Sequence, residues 1–123
     1  MSKVYKRPGL GSFPISTSVK AGDFIYASGH AGLKDGEGRE LEGVEAQTRQ
    51  CLSGLGEALA AFGAGFEDVV KVTVYLTDSA DFKKMNEVYA TAFRKNHPAR
   101  TTAVTGLVNP KMLVEIECIA YKP

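Results

Sequence analysis

The sequence predicts an α+β domain in which a single sheet carries two helices packed on one face. Three observations carry this expectation. The stretches Val44 to Phe62 and Ala80 to Lys95 repeat their apolar residues with a helical period. Segments 19–28, 69–77, 101–106 and 112–121 read as strands, the first broken by a turn. Each helical stretch has only one apolar stripe, so each has one face to bury, and one face of one sheet can take both. The expected order is β-β-α-β-α-β-β.

Length and composition set the bounds. At 123 residues the chain is one domain, spanning 1–123. A chain of this size buries about two-thirds of its unfolded surface, enough for a core without disulfides or metals. Hydrophobic residues make up 44% and charged residues 24%, as in ordinary globular proteins. A net charge of +1 offers no broad field to nucleic acid or to an anionic membrane, so neither is an expected partner. No apolar run approaches transmembrane length. Lys3, Lys6 and Arg7 are followed by no apolar segment, so the N-terminus does not read as a secretory signal. Cys51 and Cys118 lie far apart with no metal-ligand spacing, and they read as free thiols in a reducing compartment. The expected location is the cytoplasm.

Residues 1–18 are rich in Gly, Pro and Ser and read as an irregular or edge segment. The first predicted strand, Val19 to Ser28, turns at Ala21-Gly22-Asp23. Phe24, Tyr26 and Ser28 point one way, Ile25 and Ala27 the other, and Gly29 ends it. The first helix has Leu52, Leu55, Leu59 and Phe62 as its stripe, and Gly63 stands where a left-handed stop belongs. Gly54 and Gly56 each weaken it by roughly 1 kcal/mol relative to Ala, a cost consistent with close packing on a sheet. In the strand Val69 to Thr77, the row Val70, Val72, Val74 and Leu76 is expected under the helices. Asp78 or Ser79 caps the second helix, whose stripe is Phe82, Met85, Tyr89 and Phe93, and Pro98 stops it. Asn109-Pro110-Lys111 turns the chain into the last strand, where Val114, Ile116 and Cys118 join the core.

The other sheet face then holds Lys71, Thr73, Tyr75, Glu115, Glu117, Ile119 and Tyr121. This mixture is too aromatic for a plain solvent face and too charged for a closed core. It suits a wet seam between subunits, and a homo-oligomer is expected.

Few residues suggest chemistry. Arg100 follows the Pro98 turn, and its guanidinium matches a carboxylate in two-point contact; a surface arginine at a strand end is the plain alternative. Glu115 and Glu117 share a strand face, where they can flank a water or pair with Lys71 or Arg100. Asn86 lies near Tyr89 on the second helix and either hydrogen-bonds a neighbour or meets solvent. His30 and His97 have no metal-ligand partners at useful spacing, and Cys51 and Cys118 read as small core residues. No nucleophile elbow, Walker loop or dinucleotide fingerprint is present.

Several short stretches occur in a telling order: Ala27-Ser28-Gly29-His30, Glu45-Ala46-Gln47-Thr48-Arg49-Gln50, Asp68 through Asp78, Met85-Asn86-Glu87-Val88-Tyr89, Pro98-Ala99-Arg100-Thr101 and Val114-Glu115-Ile116-Glu117. Each is weak alone. Together, spanning nearly the whole chain, they resemble the RidA/YjgF family of reactive-intermediate deaminases. The resemblance implies a chorismate-mutase-like α+β subunit and a homotrimer with clefts between neighbouring subunits. It implies hydrolysis of enamines and imines of the 2-aminoacrylate type to 2-keto acids and ammonia, with no cofactor or metal. Arg100 matches the arginine that binds the substrate carboxylate, and Glu115 the glutamate that orients or activates water. Asn86 and Ser28 match pocket-lining positions, and backbone groups near Arg100 and Thr101 are placed to hold the leaving nitrogen.

The chain also departs from the family pattern. Ile15 occupies the position of a pocket tyrosine and removes its hydroxyl. His30 replaces a common glutamine, and Thr101-Thr102 follows the arginine where Ser and then Cys or Thr is usual. Residues 106–110 look more like the branch tied to pyrimidine breakdown, whose members act on aminoacrylate derivatives. The leading expectation is an imine/enamine deaminase of the 2-iminobutanoate/2-iminopropanoate type. The alternative, motivated by Ile15, is a binding protein that senses a small 2-keto or amino acid without turnover. An endoribonuclease activity, assigned to some members of the family, needs a basic groove that the charge balance does not suggest.

Overall fold

The computed structural model describes residues 2–123. In chain order the strands are β1 (Lys3–Lys6), β2 (Ser18–Ala21), β3 (Phe24–Ala31), β4 (Val69–Leu76), β5 (Ala99–Val104) and β6 (Val114–Tyr121). Helix α1 (Val44–Ala60) lies between β3 and β4, and α2 (Phe82–Ala92) between β4 and β5. The strands form one sheet in the order β1-β2-β3-β6-β4-β5, so β1 and β5 are its edges. All pairings are antiparallel except β4 with β5, which the α2 crossover makes parallel.

The predicted architecture of one sheet and two helices is present, with β1 added from the segment read as irregular or edge. Val72, Val74 and Leu76 of β4 and Val114, Ile116, Cys118 and Ala120 of β6 face the helices and are buried. Against them pack Cys51, Leu52, Leu55, Ala58 and Leu59 of α1, and Met85, Val88 and Tyr89 of α2. Fully burying a side chain such as Ile116 or Leu55 contributes about 1.5–3 kcal/mol. Cys51 and Cys118 are free, and burial pushes both thiols up to about 12. They stay protonated near neutral pH and behave as small apolar residues.

Three predicted details are corrected. Val70 is not in the core but 45% exposed. A bulge at Val70 breaks the register between Val69 and Lys71, so Val69 takes the buried place and the alternation restarts after one extra residue. Gly29 does not end its strand either. A second bulge lies between Ala27, opposite Cys118, and His30, opposite Ile116, and β3 continues to Ala31. Finally, α2 stops at Ala92 rather than Lys95, because Phe93 leaves helical geometry with φ −117° and ψ 75°.

The helix ends are otherwise as their residues dictate. The N–H of Gly63 (φ +73°) reaches Ala60 O at 2.9 Å and that of Ala64 reaches Leu59 O at 3.1 Å, closing α1 in a Schellman turn. The side chain of Asp78 accepts the Ala80 N–H at 2.9 Å, capping the 3-10 turn Ser79–Asp81 that leads into α2.

Gln47, buried inside α1, ties two loops together. Its Nε2 donates to Leu41 O (3.3 Å) and Lys111 O (3.1 Å), and its Oε1 accepts from Leu113 N–H (2.9 Å). Replacing it with alanine removes the side-chain partner of all three backbone groups. Gln47→Ala is expected to lose about 2–3 kcal/mol of stability, read as a lower urea midpoint at unchanged slope. A loss below about 0.5 kcal/mol would show that the brace does not matter.

Candidate functional site

The site residues form two groups on opposite faces of the sheet. The first is built on edge strand β5. Arg100 pairs in register with Val72, whose side chain is in the core, so Arg100 leaves the sheet on the helix side. There it meets α2. Its Nη1 donates to Asn86 Oδ1 at 2.7 Å, and the guanidinium lies over the Tyr89 ring at 4.6 Å and the Phe82 ring at 5.6 Å. Phe82, Asn86 and Tyr89 follow one another at i, i+4 and i+7, so one helix face supplies the whole cradle. Each cation–ring contact contributes about 0.5–1 kcal/mol where exposed and more where dry. Asn86, Tyr89, Phe93, His97, Pro98 and Arg100 line a cavity of about 270 Å³. The Tyr89 hydroxyl is buried without a hydrogen-bond partner. Burial raises its pKa, and the charge of Arg100 opposes that rise.

The second group is built on the β3 bulge and β6, on the face away from the helices. Glu115 pairs in register with Ala31 and Tyr75, and its carboxylate lies against Gly29. A Cβ at Gly29 would overlap Glu115 Oε2 and stand 2.9 Å from Cδ, so glycine gives the carboxylate its seat. Ser28 Oγ donates to Ser16 O at 2.6 Å, and Ser28 N–H donates to Thr17 O at 3.0 Å. Both contacts hold the front loop against the bulge. Arg7 holds that loop from its other side, donating to Gly11 O (2.8 Å), Phe13 O (2.7 Å) and Ile15 O. Ile15 itself is 42% exposed.

The two acids of β6 differ in their surroundings. Glu117 Oε1 accepts from the Tyr75 hydroxyl at 2.8 Å, and that bond, followed by the charge of Glu117, raises the Tyr75 pKa. No side chain among the described residues hydrogen-bonds Glu115. The cross-strand pair with Lys71 does not form, because the Lys71 amine donates to Thr101 Oγ1 at 2.7 Å instead. Asn86 likewise does not simply meet solvent, since it is spent on Arg100. Among the described residues no three His, Cys, Asp or Glu side chains cluster as metal ligands.

Arg100 and Glu115 are therefore not brought together within one copy. Val72 and Tyr75, their register partners on β4, have opposite parity, and the sheet stands between the two side chains. The aromatic cradle of Arg100 was not anticipated, although the spacing of Phe82, Asn86 and Tyr89 carried the signal. The Arg7 clamp had no sequence signal, since it depends on where three carbonyls of an irregular loop point.

The comparisons with known proteins bear on this arrangement. The family described as Endoribonuclease L-PSP matches residues 10–122. The chain belongs to the RidA/YjgF family. A RutC family protein of Pyrococcus horikoshii is 43% identical over 110 residues, covering 89% of this chain and 87% of that protein. A protein of Mus musculus named 2-iminobutanoate/2-iminopropanoate deaminase is 41% identical over 110 residues, covering 89% and 82%. Among solved structures, a YjgF/YER057c/UK114 family member of Mycobacterium tuberculosis superposes with a TM-score of 0.86 at 32% identity, covering 98% of this chain and 99% of that one. The six-stranded mixed sheet with two helices thus matches structures of the RidA/YjgF family over nearly the whole chain.

The seat of Glu115 can be tested alone. In Gly29→Ala the clash falls on the far end of a flexible side chain, so the carboxylate moves and the backbone does not. Stability should change by less than about 1 kcal/mol, while a crystal structure of the variant shows Glu115 displaced from the bulge. An unmoved Glu115 would show that Gly29 is not its seat.

Proposed function

We propose that this chain hydrolyses small 2-imino and enamine carboxylic acids to 2-keto acids and ammonia, in clefts between the subunits of a homotrimer. The observation that carries this reading is the division of the site. Arg100 is held at one sheet edge with Nη1 committed to Asn86, and among the described residues no side chain hydrogen-bonds Glu115 on the other face. Only a second copy can bring a Glu115 to a given Arg100. The open face suits such packing, with Phe24, Tyr26 and Tyr121 each at least 40% exposed. The imine deaminase at 41% identity supports the reaction class.

Arg100 anchors the substrate carboxylate through its free N–H groups and withdraws charge from the adjacent imine carbon. That carbon is already electrophilic. Glu115 from the neighbouring copy takes a proton from water as the water oxygen bonds to the carbon. That proton is returned to nitrogen, and as the tetrahedral adduct's hydroxyl gives up its own proton to the amine the carbonyl forms, the C–N bond breaks, and ammonia leaves the keto acid. An enamine enters the same path after protonation on carbon. Backbone groups at Thr101 are placed to hold the leaving nitrogen. Asn86 keeps Arg100 in place, and Ser28, its hydroxyl spent on Ser16, fixes the loop that carries Ile15. Ile15 offers the cleft an apolar wall. The catalysis is mainly orientation, in the reducing cytoplasm that two free thiols suit.

The test is pyruvate release from dehydratase-generated aminoacrylate. Arg100→Ala should lower kcat/KM about 100-fold, the effect of removing a charged two-point contact. Equal background rates for wild type and Arg100→Ala would end this reading for that substrate. The division between copies has its own test. Arg100→Ala and Glu115→Gln proteins, each inactive, should recover roughly a quarter of wild-type activity when unfolded together and refolded as mixed assemblies, because one cleft in four then has both residues intact. No recovery would show that Arg100 and Glu115 of neighbouring copies do not form a shared site.

The alternative reading, a sensor of small 2-keto or amino acids, is favoured by Ile15, which removes a hydroxyl from the cleft. Calorimetric binding of 2-ketobutyrate without turnover of aminoacrylate would select it.

A further inference from the structure

His30 is the one residue of the Ser28-Gly29-His30 stretch that the proposed reaction does not use. It pairs in register with Ile116, so its ring turns to the helix side, behind the bulge that seats Glu115. There it fills a notch in α1. A Cβ at Gly54 would lie 2.7 Å from His30 Cδ2, so only glycine at that position admits the ring. Its Nδ1 lies 2.7 Å from Ser28 O. A carbonyl oxygen can only accept, so Nδ1 carries the proton, and this holds whether or not Nε2 is also protonated. His30 also lines a cavity of about 250 Å³ beside α1 and β2, with Lys6, Thr17 and Glu57 among the other walls. The carbonyl that His30 grips belongs to the peptide joining Ser28 to Gly29. That peptide is planar, so fixing its oxygen from behind fixes the plane that ends at Gly29.

We propose that His30 is a positioning residue for Glu115: wedged against Gly54, it holds the Ser28–Gly29 peptide through Nδ1–H and thereby fixes the surface on which the Glu115 carboxylate rests. The register with β6 is broken between Ala27 and His30, and Ser28 is tied to the front loop through Ser16 and Thr17. His30 is the only side chain among the described residues that restrains it from the helix side. The catalytic consequence rests on the deaminase reading; the geometric claim does not.

Two substitutions separate the ring from its hydrogen bond. His30→Phe keeps a ring in the Gly54 notch but removes the donor. His30→Asn keeps an N–H near the position of Nδ1 and gives up the ring. In the full-length protein, the carboxyl carbon of Glu115 is followed by NMR through a pH titration, and the tautomer of His30 is read from two-bond proton–nitrogen correlations at about pH 9, where an ordinary imidazole is neutral. The expected result is an Nδ1–H tautomer in wild type, a Glu115 titration curve shifted in His30→Phe, and one close to wild type in His30→Asn. For aminoacrylate hydrolysis, His30→Phe should lower kcat about 10-fold with KM within about twofold, and His30→Asn should recover most of that loss. An Nε2–H tautomer overturns the proposal, as does a Glu115 titration that His30→Phe leaves unchanged. If aminoacrylate is not turned over at all while the NMR results hold, the deaminase reading fails and the positioning role stands.

Discussion

Alternation along β6 is the constraint on which the rest of the molecule depends. This strand sits between β3 and β4 and is paired along both edges, so no residue of it can rotate to the other face. Val114, Ile116, Cys118 and Ala120 are thereby committed to the helices, and Glu115, Glu117, Ile119 and Tyr121 to the open face. A one-residue slip would bury two carboxylates and expose four core side chains. The core and the reactive face are therefore two consequences of one register. The same parity, carried across β4 to β5, sends Arg100 to the side opposite Glu115. The two side chains cannot meet within one copy, and for that reason the proposed site draws on a second one.

Regular alternation was readable from the residues, and so were most of the elements. The helical stripes, the Gly63 stop, the Pro98 boundary and the two sides of β6 all follow from local chemistry. What could not be read were the interruptions. Val70 belongs to a flawless apolar row in the sequence, yet a bulge turns it outward; nothing about a valine distinguishes an extra residue from a regular one. The bulge at Ser28–Gly29 was mistaken for a strand end because glycine commonly marks one. Bulges depend on how two strands pair, and pairing is a property of the fold rather than of either strand. The candidate site was legible to a similar degree. Arg100, Asn86, Ser28 and Glu115 were singled out by residue type and by family resemblance, but their grouping was not, since proximity along the chain said nothing about which face each would leave from.

Two glycines show how closely the site and the core are joined. Gly29 yields room to Glu115 on the open face, and Gly54 yields room to His30 on the helix side. Both openings serve the same short piece of β3, one from each side. Gly54 lies inside a helix, where glycine costs roughly 1 kcal/mol relative to alanine. The cost is accepted at a position where any side chain would push His30 against the bulge. Helix stability is thus given up at the position that faces the His30 ring.

The unequal surroundings of Glu115 and Glu117 complete the argument. They are two residues apart, on one face, of the same type, and would be equivalent by sequence. Glu117 receives the Tyr75 hydroxyl, which steadies its charge and spends one of its oxygens. Glu115 receives no such donor and rests against a backbone that has no side chain. A carboxylate that must take a proton from water needs free lone pairs and a fixed position, and it is poorly served by a strong donor already in place. Only Glu115 meets those conditions. The buried thiols, held protonated, offer no competing nucleophile. This distribution of groups supports the proposed delivery of water to an imine anchored at Arg100.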